Sequence, residues 1–118
     1  MNTVIRKDWA KQWKAETTID LADNRLLRIT TRKANNGNLH TSAHVGTQDG
    51  VMVTYAHGDY YKLLVSTNPA RITEKVITKQ HNDFLAESLD DLLVVVEQFY
   101  QKRGVLSILK PIQPAIVA

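Results

Sequence analysis

The residues with the greatest chemical capacity lie in the stretch RLLRITTRKANNGNLHTSAHV, Arg25 to Val45. Arg25, Arg28, Arg32 and Lys33 occur with no acidic residue among them, and His40 and His44 follow. Guanidinium and ammonium groups, with amide and hydroxyl donors between them, are what phosphate oxygens bind. In an extended segment Arg28 and Arg32 project from one face with Thr30 between them, while Lys33 crowds a turn with Asn35, Asn36 and Asn38. Tyr60 is a candidate for stacking on a base, and Lys62 adds charge nearby. The expected nucleic-acid site is therefore Arg25, Arg28, Arg32, Lys33, His40, His44, Tyr60 and Lys62. The competing account is that alternating Arg and Thr is the solvated side of a half-buried strand.

Other chemistries find less support. His40 and His44 have the spacing that places two metal ligands together on a helix. On a strand the same spacing separates them by about 13 Å, too far for one ion, so no metal site is expected. The five glycines form no phosphate-cradling loop, and the absence of cysteine removes thiolate nucleophiles and Cys-based zinc sites. His57-Gly58-Asp59 is the one acid/base pair in a turn, and Asp90-Asp91 reads as a helix start. No enzyme and no cofactor are expected.

Trp9 and Trp13 are interleaved with Lys7, Lys11 and Lys14. A spacing of four puts both rings on one face of a helix or a strand. There they stack on bases, sit on a membrane surface, or fold onto the sheet and bury apolar area while the lysines stay wet.

These residues must be positioned by one modest core, since 118 residues fit a single domain. Net charge is only +3, but the first 71 residues hold 10 basic against 6 acidic side chains, and the remainder 5 against 6. The basic excess of the first part points to an anionic partner for one face. The N-terminus has no apolar core of a signal peptide, and no window is apolar enough to span a membrane. A cytoplasmic location without membrane contact is expected.

Turn residues recur at Asp23-Asn24, Asn35 to Asn38, Asp49-Gly50, His57 to Asp59 and Asn68-Pro69. Between them apolar residues alternate. Leu27, Ile29 and Thr31 share a face, as do Leu39, Thr41, Ala43 and Val45; Val51, Val53 and Tyr55 and then Tyr61, Leu63 and Val65 continue the pattern. Thr17 to Leu21 can add a first strand. From Thr73 the period changes, and Val76, Ile77, Gln80, His81, Phe84 and Leu85 form a helical stripe. Ser88, followed by Asp90 and Asp91, resembles a second helix start, and Leu89, Leu92, Leu93, Val96, Phe99 and Tyr100 form its stripe before Gly104.

The expected architecture is α+β: an antiparallel β-meander of four or five strands, then two α-helices packed on one face of the sheet. It divides into an N-terminal Trp/Lys segment (1–16), the meander (17–67), the helical part (72–104) and an apolar tail (105–118). The expected function is a small non-enzymatic binding module for nucleic acid. The alternative is a protein-interaction or structural module, a homodimer or accessory subunit that associates through the tail or an exposed edge strand.

Overall fold

The computed structural model describes residues 1–49, 52–54, 61–104 and 109. Its elements are strands β1 (Asn2–Lys7), β2 (Trp13–Asp20), β3 (Arg25–Lys33), β4 (Leu39–Asp49), β5 (Met52–Thr54) and β6 (Tyr61–Thr67), followed by helix α1 (Glu74–Gln101). The strands form one antiparallel sheet in the order β1-β2-β3-β4-β5, and β6 also pairs with β4. The α+β class therefore holds, with the helix on one face of the sheet.

Alternation decides which face is covered. Ala15 and Thr17 of β2, Leu27, Ile29 and Thr31 of β3, and Leu39, Thr41, Ala43 and Val45 of β4 are all buried beneath α1. Two turns follow directly from their residues. Asp23 and Asn24 adopt left-handed φ values of 61° and 57°, and Gly37 one of 86°, conformations that Asp, Asn and Gly tolerate best.

Three expectations are corrected. First, one helix replaces two. Thr73 caps it, accepting from the Val76 amide, and it runs unbroken through Ser88. Buried Ile77, His81 and Phe84, then Leu92, Val96 and Tyr100, recur every three or four residues, and the eight-residue step from Phe84 to Leu92 is close to two turns, so the two stripes are a single stripe. A serine inside a helix costs only a fraction of a kcal/mol, roughly 0.5, too little to break a run free of Gly and Pro. Second, the strand pattern starts earlier: β1 lies inside the segment read as Trp/Lys-rich, and β2 begins there at Trp13 and continues through the strand expected from Thr17. Third, β6 lies along β4 and not against β5. A register shift between Thr41 and Ser42 leaves Leu64 as an extra residue, so Val65 packs into the core while Leu63 is exposed. The expected turn at His57 to Asp59 lies outside the described residues. Among those described, no helix is long and apolar enough to cross a membrane.

A chain of polar side chains separates two apolar clusters under the helix. One cluster holds Ala15, Leu39 and Ile77; the larger holds Leu27, Ile29, Ala43, Val45, Phe84, Leu92, Val96 and Tyr100 among others. Between them Thr3 contacts Thr17, Thr17 contacts His81 Nε2, His81 Nδ1 contacts Thr31, and Thr31 contacts Thr41, each at 2.7 Å. Gln80 then donates from Nε2 to Thr41 Oγ1 at 3.1 Å and to the Leu39 carbonyl at 3.2 Å, while its Oε1 accepts from the Thr67 hydroxyl.

One end of this chain has a fixed direction. The Leu39 carbonyl can only accept, so the Gln80 amide nitrogen must face it. With Thr41 accepting from that nitrogen, one arrangement lets every hydroxyl donate within the chain: Thr41 to Thr31, Thr31 to His81 Nδ1, His81 Nε2 to Thr17, and Thr17 to Thr3. Each of Thr41, Thr31 and Thr17 then accepts once and donates once, with His81 neutral. Burial holds the His81 pKa below its ordinary 6.5, against a smaller upward pull from Glu16.

Because the folded pKa is lowered, the unfolded chain takes up a proton at a higher pH than the folded one. Stability is therefore expected to fall as pH drops below 6.5 toward the lowered folded value. His81→Leu leaves the Thr17 and Thr31 hydroxyls short of a partner and should cost about 2 to 4 kcal/mol in urea unfolding at neutral pH, with a shallower acid slope. Wild-type stability in that variant would contradict the role given to the imidazole.

Candidate anion-binding face

The face of the sheet opposite α1 is built by the alternate residues of the same strands. Register aligns them in rows. Arg6 pairs with Lys14, Lys14 with Arg32, and Arg32 with His40, so four basic residues lie in line across β1 to β4. With strands about 4.8 Å apart the row spans roughly 14 Å. A second row runs Asn2, Thr18, Arg28 and His44, and between the two lie Val4, Glu16, Thr30 and Ser42.

Like charges directly opposite each other destabilise a sheet. Glu16 is the only acidic residue in these three rows, and it is shared by Lys14 at 3.3 Å and Arg28 at 3.4 Å. Among the described residues no carboxylate pairs with Arg6 or Arg32, and both are exposed. Among the described residues of this face, one carboxylate thus pairs with two of four cations. The remaining positive field acts on His44: partial burial, then Arg32, then Arg28 hold its pKa below 6.5. The imidazole is therefore neutral at neutral pH, and by register it lies directly opposite Arg28.

The expected site residues divide. Arg28, Arg32, His40 and His44 come together on this face. Arg25 does not: it lies on the helix side, where its guanidinium sits 5.0 Å from the centre of the Tyr100 ring and donates to the Tyr100 hydroxyl at 3.3 Å. Lys33 is exposed at the end of β3, one residue out of phase with Arg32. Lys62 lies in β6 opposite Ala43, described by its backbone alone, and Tyr60 lies outside the described residues. Arg6, Lys14 and Glu16 were missed by reading the sequence. The signal was present in WKAETTID, where Ala15, Thr17 and Ile19 alternate with Lys14, Glu16 and Thr18.

The two tryptophans do not share a face. Trp13 opens β2 and packs beside Ala15, Leu39 and Ile77, with the Lys7 ammonium 5.3 Å from its ring centre. Trp9 sits in the hairpin turn and is 96% exposed. The turn breaks the regular period on which a shared face depends.

On the other side of the molecule a groove of about 360 Å³ runs between β6 and α1, with Val65, Val76 and Phe84 in its walls and Asp83 and Glu87 at its rim. Six carboxylates against two lysines make α1 acidic, so this side repels what the open sheet face attracts. Among the described residues, no group of three or more His, Asp or Glu is placed to hold a metal ion. No protein-family model matches the chain, and neither the curated proteins nor the solved structures contain a significant match to it.

Replacing Arg32 with Ala removes the larger of the two cationic influences on His44. The imidazole of that variant should titrate higher, closer to 6.5, in an NMR pH series. An unmoved titration would show that the face carries no appreciable positive field.

Proposed function

We propose that this protein is a non-enzymatic module that binds nucleic acid through the open face of its sheet. The observation that carries the reading is the cross-strand row Arg6, Lys14, Arg32 and His40, with Glu16 the only acidic residue in the rows around it. Such a row costs folding energy through repulsion. It becomes favourable when a polyanion lies along it and condensed counterions are released. Thr18 and Ser42, both half-buried, add hydroxyl donors between the charges, the set that phosphate oxygens accept from. His44 contributes differently: an anion seated between Arg28 and Arg32 offsets their effect on it and raises its pKa, so binding strengthens toward mildly acidic pH.

Lys14 and Arg28 already share Glu16, which leaves Arg6 and Arg32 as the contacts to phosphate least compensated within the fold. Lys33 and Lys62 are in register with Leu39 and Ala43 of the helix-facing set and stand outside this row; a cytoplasmic setting is part of the reading. The other reading open from the sequence is association through the apolar tail or an exposed edge strand; of the tail, only Leu109 is among the described residues. Leu109 packs against the larger core cluster, and its amide donates to Glu97 at 3.1 Å.

Fluorescence anisotropy of a labelled oligonucleotide, titrated at about 50 and 200 mM salt, tests the reading, because phosphate-driven binding weakens steeply over that range. Replacing Arg6 and Arg32 together with Ala should weaken binding and make the log–log salt slope shallower by about 1.4, the value for two lost single-strand phosphate contacts. Absence of binding by the intact protein at low salt would return this face to the role of a solvated sheet surface.

A further inference from the structure

The turn between β1 and β2 is built more firmly than its length requires. The Asp8 amide donates to the Gln12 carbonyl and the Lys11 amide to the Asp8 carbonyl, each at 2.9 Å. The Asp8 carboxylate accepts from the amides of Ala10 and Gln12 at 2.9 and 3.0 Å. Four hydrogen bonds thus fix a three-residue loop, Trp9-Ala10-Lys11. Lys11 is held at φ 60°, the conformation that glycine supplies at the corresponding place in the β3–β4 hairpin, Gly37. A lysine here costs more than a glycine, of which the backbone alone has no need.

What this loop holds out is an indole. Trp9 is 96% exposed, so it contributes almost nothing to the core. It is surrounded in sequence by Arg6, Lys7, Lys11 and Lys14. Arg6 and Lys14 belong to the basic row, and Trp9 is three positions beyond Arg6, at most about 10 Å of extended chain. An aromatic platform at the end of a flat cationic track is how proteins grip single strands: charge follows the backbone and the ring takes an unpaired base.

We infer that Trp9 is a base-stacking residue, and that the ligand of the basic face is a single strand with unpaired bases. This rests on the reading of that face as nucleic-acid-binding. An exposed Trp among cations also suits an anionic membrane surface, but stable attachment there needs more than one apolar group beside the charges. The surface that continues from Trp9 carries Arg6, Lys14, Arg32 and His40 in line, which favours the strand of nucleic acid.

The test compares the intact protein, Trp9→Ala, Trp9→Phe and the Arg6→Ala/Arg32→Ala double variant, each confirmed as folded by circular dichroism. The probes are a labelled oligothymidylate of about twelve residues, the same strand in duplex with oligoadenylate, inorganic polyphosphate, and vesicles containing phosphatidylserine. Trp9→Ala should weaken single-strand binding about tenfold, with Phe restoring most of it, since stacking is tolerant of ring type. Polyphosphate, which has no bases, should bind Trp9→Ala and the intact protein equally, and the duplex should bind the intact protein more weakly than the single strand.

If Trp9→Ala binds the single strand unchanged while the double arginine variant binds it poorly, stacking is overturned and the basic face stands. Equal losses toward polyphosphate would also overturn stacking. If Trp9→Ala loses only vesicle binding, the indole is a membrane contact and the inference fails. No oligonucleotide binding by the intact protein overturns the inference together with the reading on which it rests.

Discussion

The contact between His81 and the sheet is the constraint on which the arrangement depends. A helix laid over a sheet by apolar packing alone can slide, because hydrophobic burial has no direction. His81 removes that freedom by reaching β2 through Thr17 and β3 through Thr31, while Gln80 reaches β4 and β6 through Leu39, Thr41 and Thr67. A buried imidazole without those partners would be costly, so a shifted helix is penalised at several atoms at once. The apolar clusters on either side then supply bulk stabilisation to a register that the polar chain has selected.

That selection reaches the opposite face. Side chains alternate across a strand, so fixing Thr17, Thr31 and Thr41 under the helix also fixes Glu16, Thr18, Arg28, Thr30, Arg32, His40 and Ser42 on the open side. A slip of one residue in β3 would bury Arg28 and Arg32. The basic row is thus tied to the core pattern. The acidic residues of α1 lie on the other side of the molecule, giving it two electrically distinct faces that orient it in the field of a charged partner.

Much of this was legible in the sequence where one local rule decides the outcome. The faces of β3 and β4 follow from alternation, the hairpin at Asn35 to Asn38 from its Gly, and the helix start from Thr73. What was not legible depends on competition between distant parts. Ser88 has the character of a cap, but the stripe on either side keeps the same phase and the helix continues. Leu63 and Val65 have the same parity, yet a bulge at Leu64 sends them to opposite faces. The basic stretch from Arg25 to Lys33 has no acid within it. Glu16 enters only through pairing with the neighbouring strand, and Arg25 leaves through its contact with Tyr100. Cross-strand neighbours, which set the charge of a sheet face, are not neighbours in sequence.

The far side of β4 is divided between two short partners, β5 over three residues and β6 over seven with the bulge at Leu64. Sheets elongate into fibrils by templating a new strand along a long, flat, unbroken border. Here that border is interrupted and kinked, and the opposite one, β1, carries Arg6 and Lys7 among mostly exposed residues. Both rims are therefore poor seeds for cross-β growth.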